Sequence, residues 1–342
     1  MKKCRIVFIL LSLLVIGSIT VTGCASKPLP PVFEGAHLYH DHYFSRSTAA
    51  YTCITPGHQP HAYEEGWPSE VNLNTDLPDA PAKLTVYKII RPVVDEDYAR
   101  DIAQRLDYNE NLIETMDNSS YPHNGYRFFK GTKALLIYED GTVSISDTDF
   151  PMKPSSLPTD QECINIAREW LESHGFYPEN VIDVETSPII IHVAQGLTFS
   201  KFTAATGITF RIGIDGYELY GMGACVLVGE GGEIIKVMIK TPEFEKYSTV
   251  SVQQPEAALS NFRGYLDNPQ QFWADTPECL IDNLSPIMSI DSASLMYFCM
   301  LNDDITQPTY AQPVYFFEGQ GYKEDGSEAY SFTGRVDAVD SF

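Results

Sequence analysis

Five of the eight histidines lie between residues 37 and 61: His37, His40, His42, His58 and His61, with Asp41 between two of them. His-x-x-His and His-x-His spacings bring imidazoles within reach of one cation, and neutral imidazole suits zinc, copper or nickel. The segment has no helical spacing to preorganise such ligands. Two readings therefore stand side by side, a zinc- or copper-binding patch and a polar, partly aromatic linker. Elsewhere the residue types of catalysis occur without their arrangements. His123, His174 and His192 neighbour neither a Gly-x-Ser-x-Gly nor a reactive-cysteine signature. Gly221-Met222-Gly223 and Gly229-Glu230-Gly231-Gly232 lack the helix start and the Lys-Ser/Thr of a phosphate loop, and read as turn and bulge residues. The carboxylate pairs Glu64-Glu65, Asp147/Asp149 and Asp303-Asp304 fall in turns or linkers, without the apolar surroundings that raise an acid's pKa. The expectation is a protein that is not an enzyme and holds no resident cofactor, zinc or copper on the histidine segment being the alternative.

The remaining reactive type is cysteine. Of seven, Cys4 and Cys24 lie near the N-terminus, leaving Cys53, Cys163, Cys225, Cys279 and Cys299, an odd and widely spaced set. That argues against a disulfide framework, with Cys279 and Cys299 the one pair worth testing, and no spacing resembles a zinc knuckle. Cys24 is different. It follows a basic start (Lys2, Lys3, Arg5), an uncharged apolar run from Ile6 to Val21 and the small residues Thr22-Gly23, the three zones of a secretory signal. The run is too short for a comfortable membrane span. Val21-Thr22-Gly23-Cys24 resembles the lipobox of bacterial lipoproteins, which implies cleavage before Cys24 and acylation of its thiol, for example by palmitate. Two acyl chains anchor a protein stably without a spanning helix. The expected place is the extracytoplasmic face of the cell membrane. Without residues 1–23 the chain keeps twenty basic against 46 acidic side chains, a formal −26. Such a surface repels nucleic acid and anionic headgroups, so no nucleic-acid partner and no membrane contact beyond the anchor are expected.

The elements that position these residues begin after a proline-containing tether over 24–82. A first unit over 83–150 reads as a strand at Lys83–Arg91 ended by Pro92, a helix capped by Asp95 with Tyr98, Ala99, Ile102, Ala103 and Leu106 on one face, and strands turning at Asp140-Gly141. A second unit over 151–248 opens with a Thr159/Glu162 capping box, carries Cys163, Ile166, Ala167, Trp170 and Leu171 on one helical face, and stops at Gly175. Its clearest pattern is residues 207–240. Ile208, Phe210, Ile212 and Ile214 alternate with polar or small residues, Asp215-Gly216 makes a hairpin, Met222–Val228 is apolar on both faces, and Ile235, Val237 and Ile239 face away from Lys236 and Lys240. A third unit over 249–342 starts a helix at Pro255, with Ala258, Leu259, Phe262 and Tyr265 buried, and ends in strands. The predicted fold class is α+β, repeated units of one helix packed on an antiparallel β-meander.

The segments Ile214–Ala224, Gly231–Val237, Gln254–Leu259 and Ala311–Gly319 resemble extracytoplasmic lipoproteins of Gram-positive bacteria with PepSY-like and YycH/YycI-like repeats. The resemblance implies a helix on a small antiparallel sheet in each repeat, and regulation or inhibition by contact with a protein partner. The functional expectation is a lipid-anchored, non-catalytic regulatory module. The alternatives are a metal-binding or metal-delivery lipoprotein acting through His37–His61 and an inhibitor of an exported peptidase.

Overall fold

β-Branched and aromatic residues alternate with polar ones along most of the chain, and strands dominate it accordingly. The computed structural model describes residues 37–39, 70–108, 114–116, 125–147, 153–195, 198–266, 273–275, 287–299, 308–322 and 328–339. In chain order these form β1 (His37–Tyr39), β2 (Glu70–Leu73), β3 (Lys83–Ile90), α1 (Glu96–Arg105), β4 (Glu114–Met116), β5 (Gly125–Lys130), β6 (Lys133–Tyr138), β7 (Val143–Asp147) and α2 (Asp160–Ser173). They continue as β8 (Val181–Gln195), β9 (Thr198–Ile214), β10 (Tyr217–Val228), β11 (Ile234–Lys240), β12 (Glu243–Ser251), α3 (Pro255–Leu266), β13 (Trp273–Asp275), β14 (Ile287–Cys299), β15 (Thr309–Tyr322) and β16 (Glu328–Asp337).

Eight strands pair antiparallel in the order β8-β9-β10-β11-β7-β6-β5-β4. Both α1 and α2 lie on this sheet over one core, in which Ala99, Ile102, Ala103, Cys163, Ala167 and Leu171 meet Leu135, Ile137, Ile208, Phe210, Val226 and Val237. A second group runs β13-β1-β16-β15-β14, with β2 parallel to β14 and with β3, paired to β12, on the far end of β15. Helix α3 covers it, setting Phe262 against Phe317 with ring centroids 5.2 Å apart. The two groups join where β10 leaves β9. Between Glu218 and Gly223 the β9–β10 register shifts, and there Leu219 pairs with Tyr297 of β14.

The expected repeated helix-on-meander units are corrected by this pairing. Strands from residues 114–147 and from 181–240 share one sheet because β11 pairs with β7, and β12 crosses back to β3. The physical reason is edges. A lone three-stranded meander leaves two rows of unpaired backbone groups, whereas pairing β7 with β11 removes an edge from each. Residues read as tether also enter the fold, since β2 pairs with β14 and Val71, Leu73, Leu77 and Ala80 pack on the α3 core. Residues 243–251, for which the sequence gives no clear period, form β12.

The local signals act as their chemistry requires. Asp95 caps α1 by accepting from the Tyr98 amide at 2.9 Å, and Asp215-Gly216 turns with both φ positive. At α2 the Thr159 amide donates to Glu162 Oε2 at 2.8 Å, while Thr159 Oγ1 accepts from the Glu162 amide. The Thr159 backbone, and secondarily its hydroxyl, hold the Glu162 carboxyl below its ordinary range. A lowered folded value means stability present above the unfolded value of 4.5 and lost as the pH falls through the folded one. Separately from that titration, Thr159→Ala removes the N-cap oxygen and is expected to destabilise the chain by about 1 kcal/mol, as is usual for such a cap. Urea unfolding checks this, and the gap between the two chains should narrow at pH 3.

Candidate binding site

A recess of about 100 Å³ opens where the ends of several elements converge. Ile89, Arg91 and Pro92 come from the end of β3, Tyr98 from α1, Asp140 and Gly141 from the β6–β7 turn, and Phe176 from the chain leaving α2. Met222 enters from β10 at the junction of the two strand groups, and Ile239 and Lys240 from the end of β11. Each is placed by a local rule. Pro92 has no amide to extend β3. Gly141, at φ +87°, lies against Pro92 so closely that a Cβ would come within 2.6 Å of Pro92 Cγ. Lys240 falls on the outward side of a strand whose other side buries Ile235, Val237 and Ile239.

The floor is apolar, with Ile89, Val143, Met222 and Ile239 buried. Three of the lining residues are charged. Lys240 Nζ stands 3.7 Å from Asp140 Oδ2, and Asp140 Oδ1 accepts from the Thr142 amide at 2.9 Å. Arg91 Nη2 donates to Thr309 Oγ1 at 2.5 Å, but Arg91 Nε and Nη1 are shut off from solvent with no acceptor among the described residues. Two cations against one carboxylate leave this corner net positive in a chain of formal charge −23. Burial pushes the Cys299 thiol up to about 12, with Lys240 and Arg91 opposing and Asp140 adding to the rise, so this neighbour is a neutral thiol and not a nucleophile. Burial likewise raises the Tyr98 phenol, which stays a neutral donor. Such a set holds and orients an anionic group; a buried donor without an acceptor costs about 1–3 kcal/mol until one arrives.

A second charged cluster ties strands together. Arg211 of β9, 5% exposed, donates to Glu218 of β10 at 2.8 Å and to Glu185 of β8, with Asp183 of β8 at 3.8 Å. Burial alone pulls the guanidinium pKa down, but Glu218 and Glu185 more than offset this and the net shift is upward.

Of the sequence-predicted site residues, the described part of the structure contains only His37. His37 lies in β1, whose backbone pairs with β13 and β16, while Cys24, His40, His42, His58 and His61 lie outside the described residues. Among the described residues no group of three or more His, Cys, Asp or Glu side chains is placed to hold a metal. Cys299 is a buried free thiol, and its suggested partner Cys279 lies outside the described residues. His174 is the C-cap of α2, stacked on Trp170 at 4.4 Å, and is structural. Arg91, Asp140 and Lys240 were visible in the sequence only as a strand end, a turn and the polar side of a strand.

No protein-family model matches this chain, and no curated protein matches it either. Among solved structures it is similar to the crystal structure of an uncharacterized protein from Eubacterium rectale ATCC 33656, with a TM-score of 0.48 and 14% identity over 80% of this chain and 88% of that one. No helix among the described residues is long and apolar enough to cross a membrane.

Proposed function

We propose that this protein is a non-catalytic lipoprotein, held by an acylated Cys24 on the outer face of the cytoplasmic membrane and acting by contact with a protein or ligand presented there. The observation that carries the reading is the N-terminal segment, in which basic residues, a short apolar run and Val21-Thr22-Gly23-Cys24 stand in the order that export and acylation require. The folded body supports it with a recess suited to holding an anionic group. The formal charge of −26 after cleavage keeps that body off anionic headgroups, so contact with the bilayer is left to the anchor.

Expressed in a bacterium with a lipoprotein-processing pathway, the chain is expected to sediment with membranes, to need detergent for release and to incorporate radiolabelled palmitate. Cys24→Ser is expected to lose the label and to leave the palmitoylated membrane fraction. Equal labelling and equal detergent dependence of the two chains would sink the anchored reading.

A further inference from the structure

We propose that the recess beside Arg91 binds a monoanionic carboxylate bearing a small apolar group, the chemistry shared by a branched short-chain acid and by the C-terminal residue of a peptide ending in leucine or valine. This rests on the contact-module reading above and names what that module would hold.

Four observations converge. The first is the guanidinium. Arg91 keeps its charge at any physiological pH and offers five N–H donors in a planar fork, of which the Nε–H and both N–H groups of Nη1 lack an acceptor. Buried donors in that state are a standing cost, and a carboxylate oxygen is the acceptor that relieves it most, through charge-assisted hydrogen bonds. The second is the charge count. Lys240 leans toward Asp140 at 3.7 Å, so these two largely offset each other and Arg91 is left as the charge without a carboxylate partner among the described residues. One positive charge matches one negative charge, whereas a phosphate dianion would face the Asp140 carboxylate, only 7% exposed, inside a strongly acidic molecule. The third is the floor. Ile89, Val143, Met222 and Ile239 present buried apolar surface beside the charge, which strengthens the ion pair by excluding water and selects a ligand with an apolar substituent. The fourth is size. About 100 Å³ is less than the roughly 150 Å³ cavity known to hold benzene, so the recess seats a carboxylate with a small apolar group in part, the rest of the ligand standing outside its mouth.

The test is calorimetric titration of the full acylated chain in detergent with four probes: isovalerate, acetyl-Gly-Leu as the free acid, the same peptide as its C-terminal amide, and inorganic phosphate. Both free acids are expected to bind, with the amide and phosphate weaker by about tenfold or more. The tighter of the two acids identifies the source, peptide end or free acid. Arg91→Met is expected to bind both acids about tenfold more weakly or not at all. It should melt close to the unaltered chain, because Arg91 is half-buried and its hydrogen bond to Thr309 Oγ1 is a modest net loss. Arg91→Lys keeps the charge but not the fork, and is expected to recover binding only in part. An amide that binds as tightly as the acid, or an Arg91→Met chain that binds as the parent does, overturns the proposal without recourse to any variant that misfolds. Arg91-dependent binding of phosphate alone overturns the carboxylate and leaves a contact function standing. No binding by any probe overturns the proposal outright, while the membrane partition of Cys24→Ser reports on the anchored reading separately.

Discussion

Gly223→Val is expected to leave the chain largely unfolded or insoluble. Gly223 has φ +134°, a region that L side chains rarely adopt, and a Cβ built there would sit 2.1 Å from the carbonyl oxygen of Phe210 on the neighbouring strand. The clash is with backbone, so no side-chain rotation relieves it, and β9 and β10 would have to separate. Strained dihedrals of this kind cost about 1–3 kcal/mol before any steric term. The position adds a further reason. Gly223 closes the register shift that begins at Glu218, and that shift is what lets Leu219 reach Tyr297 and join the two strand groups. Forcing the strands apart there also displaces Met222 from the floor of the recess. The total is expected to exceed about 4 kcal/mol, most of the stability of an ordinary domain. Gly264→Ala, on α3 with nothing within 4 Å of the added Cβ, is the control and should be neutral or slightly stabilising. Comparable urea midpoints for the two variants would show that the β9–β10 bulge is not the joint described here.

Arg211→Ala is expected to cost about 3–5 kcal/mol, because it strips the cation from carboxylates on the two strands that flank β9. Glu218, 11% exposed at its side chain, bears most of this cost; Asp183, 64% exposed, is hydrated and loses little. The loss should not be repaired by salt, since the pair with Glu218 is shielded from the ionic atmosphere. Combining Arg211→Met with Glu218→Leu is expected to regain most of the stability, because the shielded pair becomes apolar and the carboxylates left without a cation, Glu185 and Asp183, are 37% and 64% exposed and hydrated. Denaturant unfolding with an unchanged slope measures both. A loss below about 1 kcal/mol for Arg211→Ala would mean that the cluster behaves as a surface network.

The elements that proved legible are those whose signal is local. The Thr159/Glu162 reciprocal cap, the Asp95 cap and the Asp215-Gly216 turn each join residues no more than a few positions apart, and backbone geometry alone makes them work. The meander of Ile208, Phe210, Ile212 and Ile214 against Met222–Val228 and Ile235–Ile239 was readable for the same reason: neighbouring strands joined by short turns pair with each other. Where the partner was distant, the reading failed. Nothing in Val143–Asp147 says that its neighbour is Lys236–Ile239, and nothing in Glu243–Ser251 says that it returns to Lys83–Ile90. Pro188 lies within β8 and is tolerated because β8 is an edge, paired among the described residues only with β9, where a missing amide can face outward.

The sequence by itself determined the acidic charge and the identity and facing of most helices and strands, and it alone carries the order of residues up to Cys24 from which export and anchoring are proposed, because each of these is written in composition or in short-range periodicity. Only the tertiary structure decided that the strands merge across the apparent repeats, and that Arg91, Asp140 and Lys240, as many as 149 positions apart, come to one corner. An arginine at a strand end carries no local mark of lacking an acceptor. That property belongs to what the rest of the chain places around it, and it is the property on which the proposed binding rests.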